Sequence, residues 1–169
     1  MKIKFRPCSH DPMEVIMGQA IWFTPINNVD GISATANTEG FTPLTSIANA
    51  YDWDRNTINH ASQECNSKKE IAIVRQVKPT LFLVPKTRGD LDTEFLIEDL
   101  VSAINEIQIE NLHFTHYGFI QNKLPEAELK NIFKALNNST TKSTIKKITL
   151  DVDIRVIREF EHIFNSLNT

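Results

Sequence analysis

The stretch Asn28-Val29-Asp30-Gly31-Ile32-Ser33-Ala34-Thr35-Ala36-Asn37-Thr38-Glu39-Gly40-Phe41 (NVDGISATANTEGF, 28–41) decides how the rest of the chain is read. Its middle, 31–36, reads as a short apolar strand that stops at Asn37 and is followed at once by Thr38, Glu39 and Gly40. An asparagine there serves as a turn residue for conformational reasons alone. It also suits a backbone held open for a ligand, so what lies beside the strand decides its role.

Outward from this point, MKIKFR alternates Met1, Ile3 and Phe5 with Lys2, Lys4 and Arg6. That is the period of a half-exposed edge strand whose charges discourage further pairing. EVIMGQAIWF, 14–23, predicts a more buried strand closed by Pro25 and the Asn27-Asn28 pair. After the central strand, Thr42 suits a cap and Pro43 a first helical position, and Leu44, Ile47, Ala48 and Tyr51 recur at helical spacing. A weaker helical signal covers 57–65, with Ile58, Ala61 and Cys65 on one side. EIAIVRQ and TLFLVP predict two strands separated by Val77, Lys78 and Pro79.

The second half alternates strand and helix. Leu96, Ile97, Leu100, Val101, Ile104 and Ile107 form one apolar stripe, with Asp92 and Glu94 at its positive end. NLHFTHY, 111–117, is the next strand, and Pro125 opens a helix carrying Leu129, Ile132, Phe133 and Leu136. NNSTTKST, 137–144, is expected to be a polar connecting loop. Ile148, Leu150, Val152 and Ile154 then alternate as a strand, and from Val156 the period becomes helical, with Asp153 placed to cap. Such an order predicts a three-layer α/β/α sandwich with a mixed, largely parallel central sheet. Ligands enter sheets of this kind at the carboxyl ends of the strands, so the loops after 36, 85, 117 and 152 are the ones to inspect.

A length of 169 residues is expected to make one domain over 1–169, with 1–19 an N-terminal edge-strand extension. A net charge of −3, with both signs mixed along the chain, gives no footprint for nucleic acid or an anionic membrane. The N-terminus lacks the apolar core of a secretory signal, and Cys8 and Cys65 are two distant thiols, so a cytoplasmic location is expected. No dinucleotide fingerprint, Walker loop, nucleophile elbow or His-Glu-x-x-His is present. Cys8-Ser9-His10 lacks a second ligand pair, so no metal and no cofactor are expected. His113 and His116 differ by an odd number within one strand and fall on opposite faces. Trp22 and Trp53 are assigned to packing. Asp151 and Asp153 could pair as acid and base, but a solvated strand face plus a helix cap is the favoured reading.

With the elements in this order, the chain resembles the macro domain, the ADP-ribose-binding α/β module. Val29 to Asn37 is similar to the family's strand Val-Asp-Ala-Ile-Val-Asn-Ala-Ala-Asn; Leu96 to Leu136 is similar to its central helix, strand, glycine loop and helix; and 148–164 to its closing strand, acidic turn and helix. The resemblance implies a pocket between the loops Asn37–Thr42 and Tyr117–Gln121. Asn37 would donate to a ribose-like hydroxyl, Gly40 remains from the first glycine run, and His116, Tyr117, Gly118 and Phe119 form the second loop, with the backbone of Gly118 and Phe119 facing a phosphate. Ala34 stands where the family has its first asparagine, Pro25 falls near the adenine-contacting aspartate, and one glycine remains of the first run. The function implied is weak binding of ADP-ribose or a related nucleotide or anion, without strong catalysis. The alternatives are a hydrolase of ADP-ribosyl linkages, with Asn37 orienting a water, or a protein-interaction domain that has lost its ligand.

Overall fold

The computed structural model describes residues 2–8, 25–36, 43–85, 93–115, 126–141, 144–153 and 156–167. The elements among them, in chain order, are β1 (Lys2–Cys8), β2 (Gly31–Thr35), α1 (Pro43–Ala50), α2 (Arg55–Lys68), β3 (Ala72–Val74), β4 (Thr80–Val84), α3 (Thr93–Ile107), β5 (Asn111–Phe114), α4 (Glu126–Thr141), β6 (Lys147–Asp153) and α5 (Ile157–Ser166). The strands form one six-stranded sheet in the order β1-β6-β5-β2-β4-β3. Every pairing is parallel except the one between β3 and β4. The expected mixed, largely parallel sheet is therefore present, and MKIKFR lies at its edge.

Each face of the sheet has its own core. On one, α1 and α2 bring Leu44, Ile47, Ala48, Ile58 and Cys65 against Ile32, Ala34, Leu81 and Leu83. On the other, the stripes of α3, α4 and α5 meet Phe82, Leu112, Phe114, Ile148 and Leu150. The period-2 reading of β6 holds for Ile148, Leu150 and Val152, but Thr149 and Asp151 on the opposite face are buried as well. Phe5 packs edge-on against Phe133 and Phe164, with ring centroids 5.9 and 5.8 Å away, which fastens the edge strand to α4 and α5.

Three local expectations are corrected. The segment 57–65 belongs to a longer helix that begins at Arg55, because Asp54 caps it by accepting from the Thr57 N–H at 3.0 Å and the Thr57 hydroxyl at 2.7 Å. The polar run from Asn137 continues α4 to Thr141 instead of forming a loop. It contains neither Gly nor Pro, so extending an existing helix costs only tenths of a kcal/mol per residue; its polarity reports exposure, as Asn137 and Asn138 show. Finally, α5 is capped at Val156 with no side-chain hydrogen bond, so Asp153 is not its N-cap. The strand expected at 14–23 lies outside the described residues.

Gly31 opens β2 where there is no room for a side chain. A β-carbon there would lie 2.9 Å from Ile109 Cγ2 and 3.2 Å from Phe82 Cε2, both belonging to buried residues. The similar strand of the macro family carries alanine at this position, so Gly31→Ala tests how local the packing is. It is expected to lower stability by about 1–2 kcal/mol, the usual cost of overpacking a core, measured as a lower urea midpoint at unchanged slope. An unchanged or raised midpoint would show that Ile109 and Phe82 yield freely.

Candidate functional site

The carboxyl ends of the parallel strands lie along one edge of the sheet, and β2 and β5 are neighbours there. Ser33 sits opposite Phe114. One residue beyond β5, both the N–H and the hydroxyl of Thr115 donate to the Ser33 carbonyl, at 2.8 and 3.0 Å. On the other side of β2, the Ala36 N–H donates to the Val84 carbonyl at 2.8 Å. The backbone is thus fixed at Ala36 and at Thr115, immediately before the loops that the sequence singles out. Asn37, Gly40, His116, Tyr117, Gly118 and Phe119 themselves lie outside the described residues.

The amino end of the same strand is fastened differently. The Asp30 carboxylate accepts from the Glu110 N–H at 2.9 Å and the Asn111 N–H at 2.7 Å, and the Asp30 carbonyl accepts from the Thr80 N–H at 3.1 Å. Asp30 is part of the motif that suggests a ligand site, yet it lies at the edge of the sheet away from those loops. Its work is to set the register of β5 and β4 on β2.

A buried ionic group that the sequence reading missed lies near the carboxyl edge, on the face shared with α1 and α2. Arg6 donates to Asp151 through Nε to Oδ1 at 2.7 Å and Nη2 to Oδ2 at 3.0 Å, a two-pronged pair across β1 and β6. From β5, His113 Nε2 lies 2.8 Å from Asp151 Oδ1. Asp151 and His113 are 1% and 0% exposed. Burial pushes the Asp151 carboxyl up, but the hydrogen bonds and charges of His113 and Arg6 outweigh it and hold the group below its ordinary value of 3.8. The expected solvated face at Asp151 is thereby overturned: a carboxylate can occupy the inside of a strand when a guanidinium and an imidazole satisfy its oxygens. The available signal was one polar or charged residue near the carboxyl end of each of three strands, all on the same pleat face.

Trp53 and Cys65 have structural roles; Ser9, His10 and Trp22 lie outside the described residues. Trp53 is buried, donates its indole N–H to the Lys78 carbonyl at 3.0 Å and stacks on Tyr51 at 5.4 Å between ring centroids. The Cys65 thiol is pushed up to about 12 by burial and hydrogen-bonds the Glu70 carbonyl, so it is protonated and unreactive at neutral pH. Among the described residues no group of three or more His, Cys, Asp or Glu could hold a metal ion, and no helix is long and apolar enough to cross a membrane.

Replacing Asp151 by Asn is expected to cost about 3 kcal/mol, since it removes the negative charge that offsets part-buried Arg6 and puts an amide NH2, a donor, where Oδ2 accepted from Arg6 Nη2. The lowered carboxyl contributes stability that is fully present above its unfolded value near 3.8 and disappears as pH falls through the lower folded value. Urea midpoints followed from about pH 6 to about pH 3 should fall more steeply for the native chain than for Asp151→Asn in that acid window. Parallel slopes would mean that the pair contributes nothing that depends on ionisation.

No protein-family model matches the sequence, and no curated protein matches it. Solved structures do. An Oceanobacillus iheyensis macrodomain mutant superposes with a TM-score of 0.60 over 84% of this chain and 87% of that one, at 11% identity. A mutant of tomato leucine aminopeptidase matches with a TM-score of 0.51 over 96% of this chain but 35% of its own, at 12% identity. The IBV X-domain aligns over 98% of both chains at 14% identity with a TM-score of 0.48, too low to bear on the fold. The strand order, the helices on both faces and the match across most of both chains agree: the fold is that of a macro domain, on a sequence only 11% identical to that solved structure.

Proposed function

We propose that the protein binds ADP-ribose or a closely related nucleotide, weakly, between the loops that follow β2 and β5. The observation that supports this reading is the adjacency of the two strands within a macro-domain fold. Because Thr115 is bonded to Ser33 and Ala36 to Val84, the chain enters both loops from neighbouring points on one edge. In this reading Asn37 donates to a ribose-like hydroxyl, and Gly40 leaves space in the same loop. His116 and Tyr117 border the second loop, and the N–H groups of Gly118 and Phe119 face a phosphate. Ala34 is fully buried and brings no polar group to the strand end, consistent with modest affinity.

Among the described residues, the acid and base near that edge give hydrolysis no support. Asp151 and His113 are sealed from solvent and engaged with each other. A general base must reach its proton directly or through one water, and among the described residues these two groups do not offer that access.

Calorimetric titration with ADP-ribose is expected to give a dissociation constant on the order of 0.1–1 mM, equivalent to roughly 4–5.5 kcal/mol. Asn37→Ala is expected to weaken it about fivefold, the worth of one hydrogen bond, with little change in thermal midpoint. Incubation with an ADP-ribosylated peptide should release no ADP-ribose. Absence of heat with ADP-ribose, AMP and NAD at millimolar concentration would reject the proposal.

A further inference from the structure

We propose that Asn66, on α2, is a positioning residue for the first ligand loop: its side-chain amide fixes the backbone at the point where the chain leaves β2. This rests on the reading that the loop after β2 contacts the nucleotide.

Asn66 Nδ2 donates to the Ala36 carbonyl at 2.6 Å. Ala36 is fully buried, and its N–H is already committed to the Val84 carbonyl. In a parallel ladder both polar groups of one residue face the same neighbouring strand, so the Ala36 carbonyl points toward the β4 side, where the ladder is ending beyond Val84. Asn66 supplies a donor there from the helix layer. The last residue before Asn37 is therefore held from two directions, by a strand and by a helix.

The helix that carries Asn66 is itself well anchored. Asp54 caps its start, and Ile58, Ser62 and Cys65 bury one face against the sheet. The Cys65 thiol, one residue before Asn66, reaches the Glu70 carbonyl at 3.0 Å and lies 3.5 Å from the Leu83 carbonyl on β4. These contacts fix the base from which the amide reaches Ala36. A ligand that depends on Asn37 then meets a residue whose preceding carbonyl cannot swing, which lowers the ordering cost of binding.

The test compares Asn66→Asp, which keeps the shape and removes the donor, with Asn66→Leu and with Asn66→Gln, which retains an amide donor. Amide hydrogen exchange over residues 36–42 of the unliganded protein reads the clamp without any ligand. It is expected to quicken about fivefold in the Asp and Leu variants, to recover in part with Gln, and to stay unchanged in β4 and α2. ADP-ribose affinity should fall about fivefold in the same two variants with nearly constant thermal midpoint. Unchanged exchange at 36–42, or a uniform rise across β2, α2 and β4, would overturn the positioning role. So would a native chain that binds ADP-ribose measurably yet no better than the Asp variant. If the native chain binds no ADP-ribose while the local exchange pattern appears, the nucleotide reading falls and Asn66 stands as the residue that orders this loop.

Discussion

The central strand β2 is the constraint on which the rest of the molecule depends. It is five residues long, paired with a parallel strand on each side, and buried on both faces over most of its length. So short a strand has few ladder bonds with which to define its register, and a slip of one residue would exchange its two faces. Side chains supply the missing definition at both ends. At the amino end the Asp30 carboxylate grips the start of β5. At the carboxyl end the Thr115 hydroxyl takes the Ser33 carbonyl of β2, and the Asn66 amide takes the carbonyl of Ala36, one residue beyond it. The strand's position relative to β4, β5 and α2 is therefore set by polar contacts, and the two apolar cores fill in around it.

The outer strands are held by another device. β1 is an edge strand with Phe5 in an aromatic cluster on one face and Arg6 in the ionic group on the other. An apolar contact alone would hold the strand with little preference for register along the sheet. The Arg6 and Asp151 pair adds direction, because two parallel hydrogen bonds form only when these residues stand opposite each other, as they do in the pairing of β1 with β6. His113 extends the same group to β5, so three neighbouring strands are tied together near the edge where the loops leave.

Periodicity made most of the architecture legible. The stripes at Leu100, Ile104 and Ile107, and at Leu129, Ile132, Phe133 and Leu136, appear as the buried faces of α3 and α4, and the alternation in 147–153 appears as β6. What escaped was decided by partners distant in sequence. Arg6 looked like an ordinary edge charge because Asp151 is 145 residues away. Asp151 looked solvated because alternation tells which face a residue takes but not whether that face is covered. Asn66 gave no signal, since an amide on a helix acquires meaning only when a strand end is brought beneath it. The extension of α4 to Thr141 is hidden for a different reason: a polar run reads as irregular, although exposed helical turns are polar too.

These observations explain how a macro-domain fold can form on a sequence with little identity to a solved one. The side-by-side departure of the loops after β2 and β5 follows from strand order and from bonds made largely by backbone groups, which almost any residues could supply. Nothing in that adjacency requires glycine-rich loops, or an asparagine at position 34. Affinity for a nucleotide does depend on such groups, because each amide or hydroxyl contributes its own hydrogen bond and each lost glycine limits how closely backbone can approach a phosphate. Loop chemistry can therefore differ from one sequence to another while the strand ends stay where the sheet puts them. Asp30, Thr115 and Asn66 are the side chains that fasten the two ends of β2 among its neighbours.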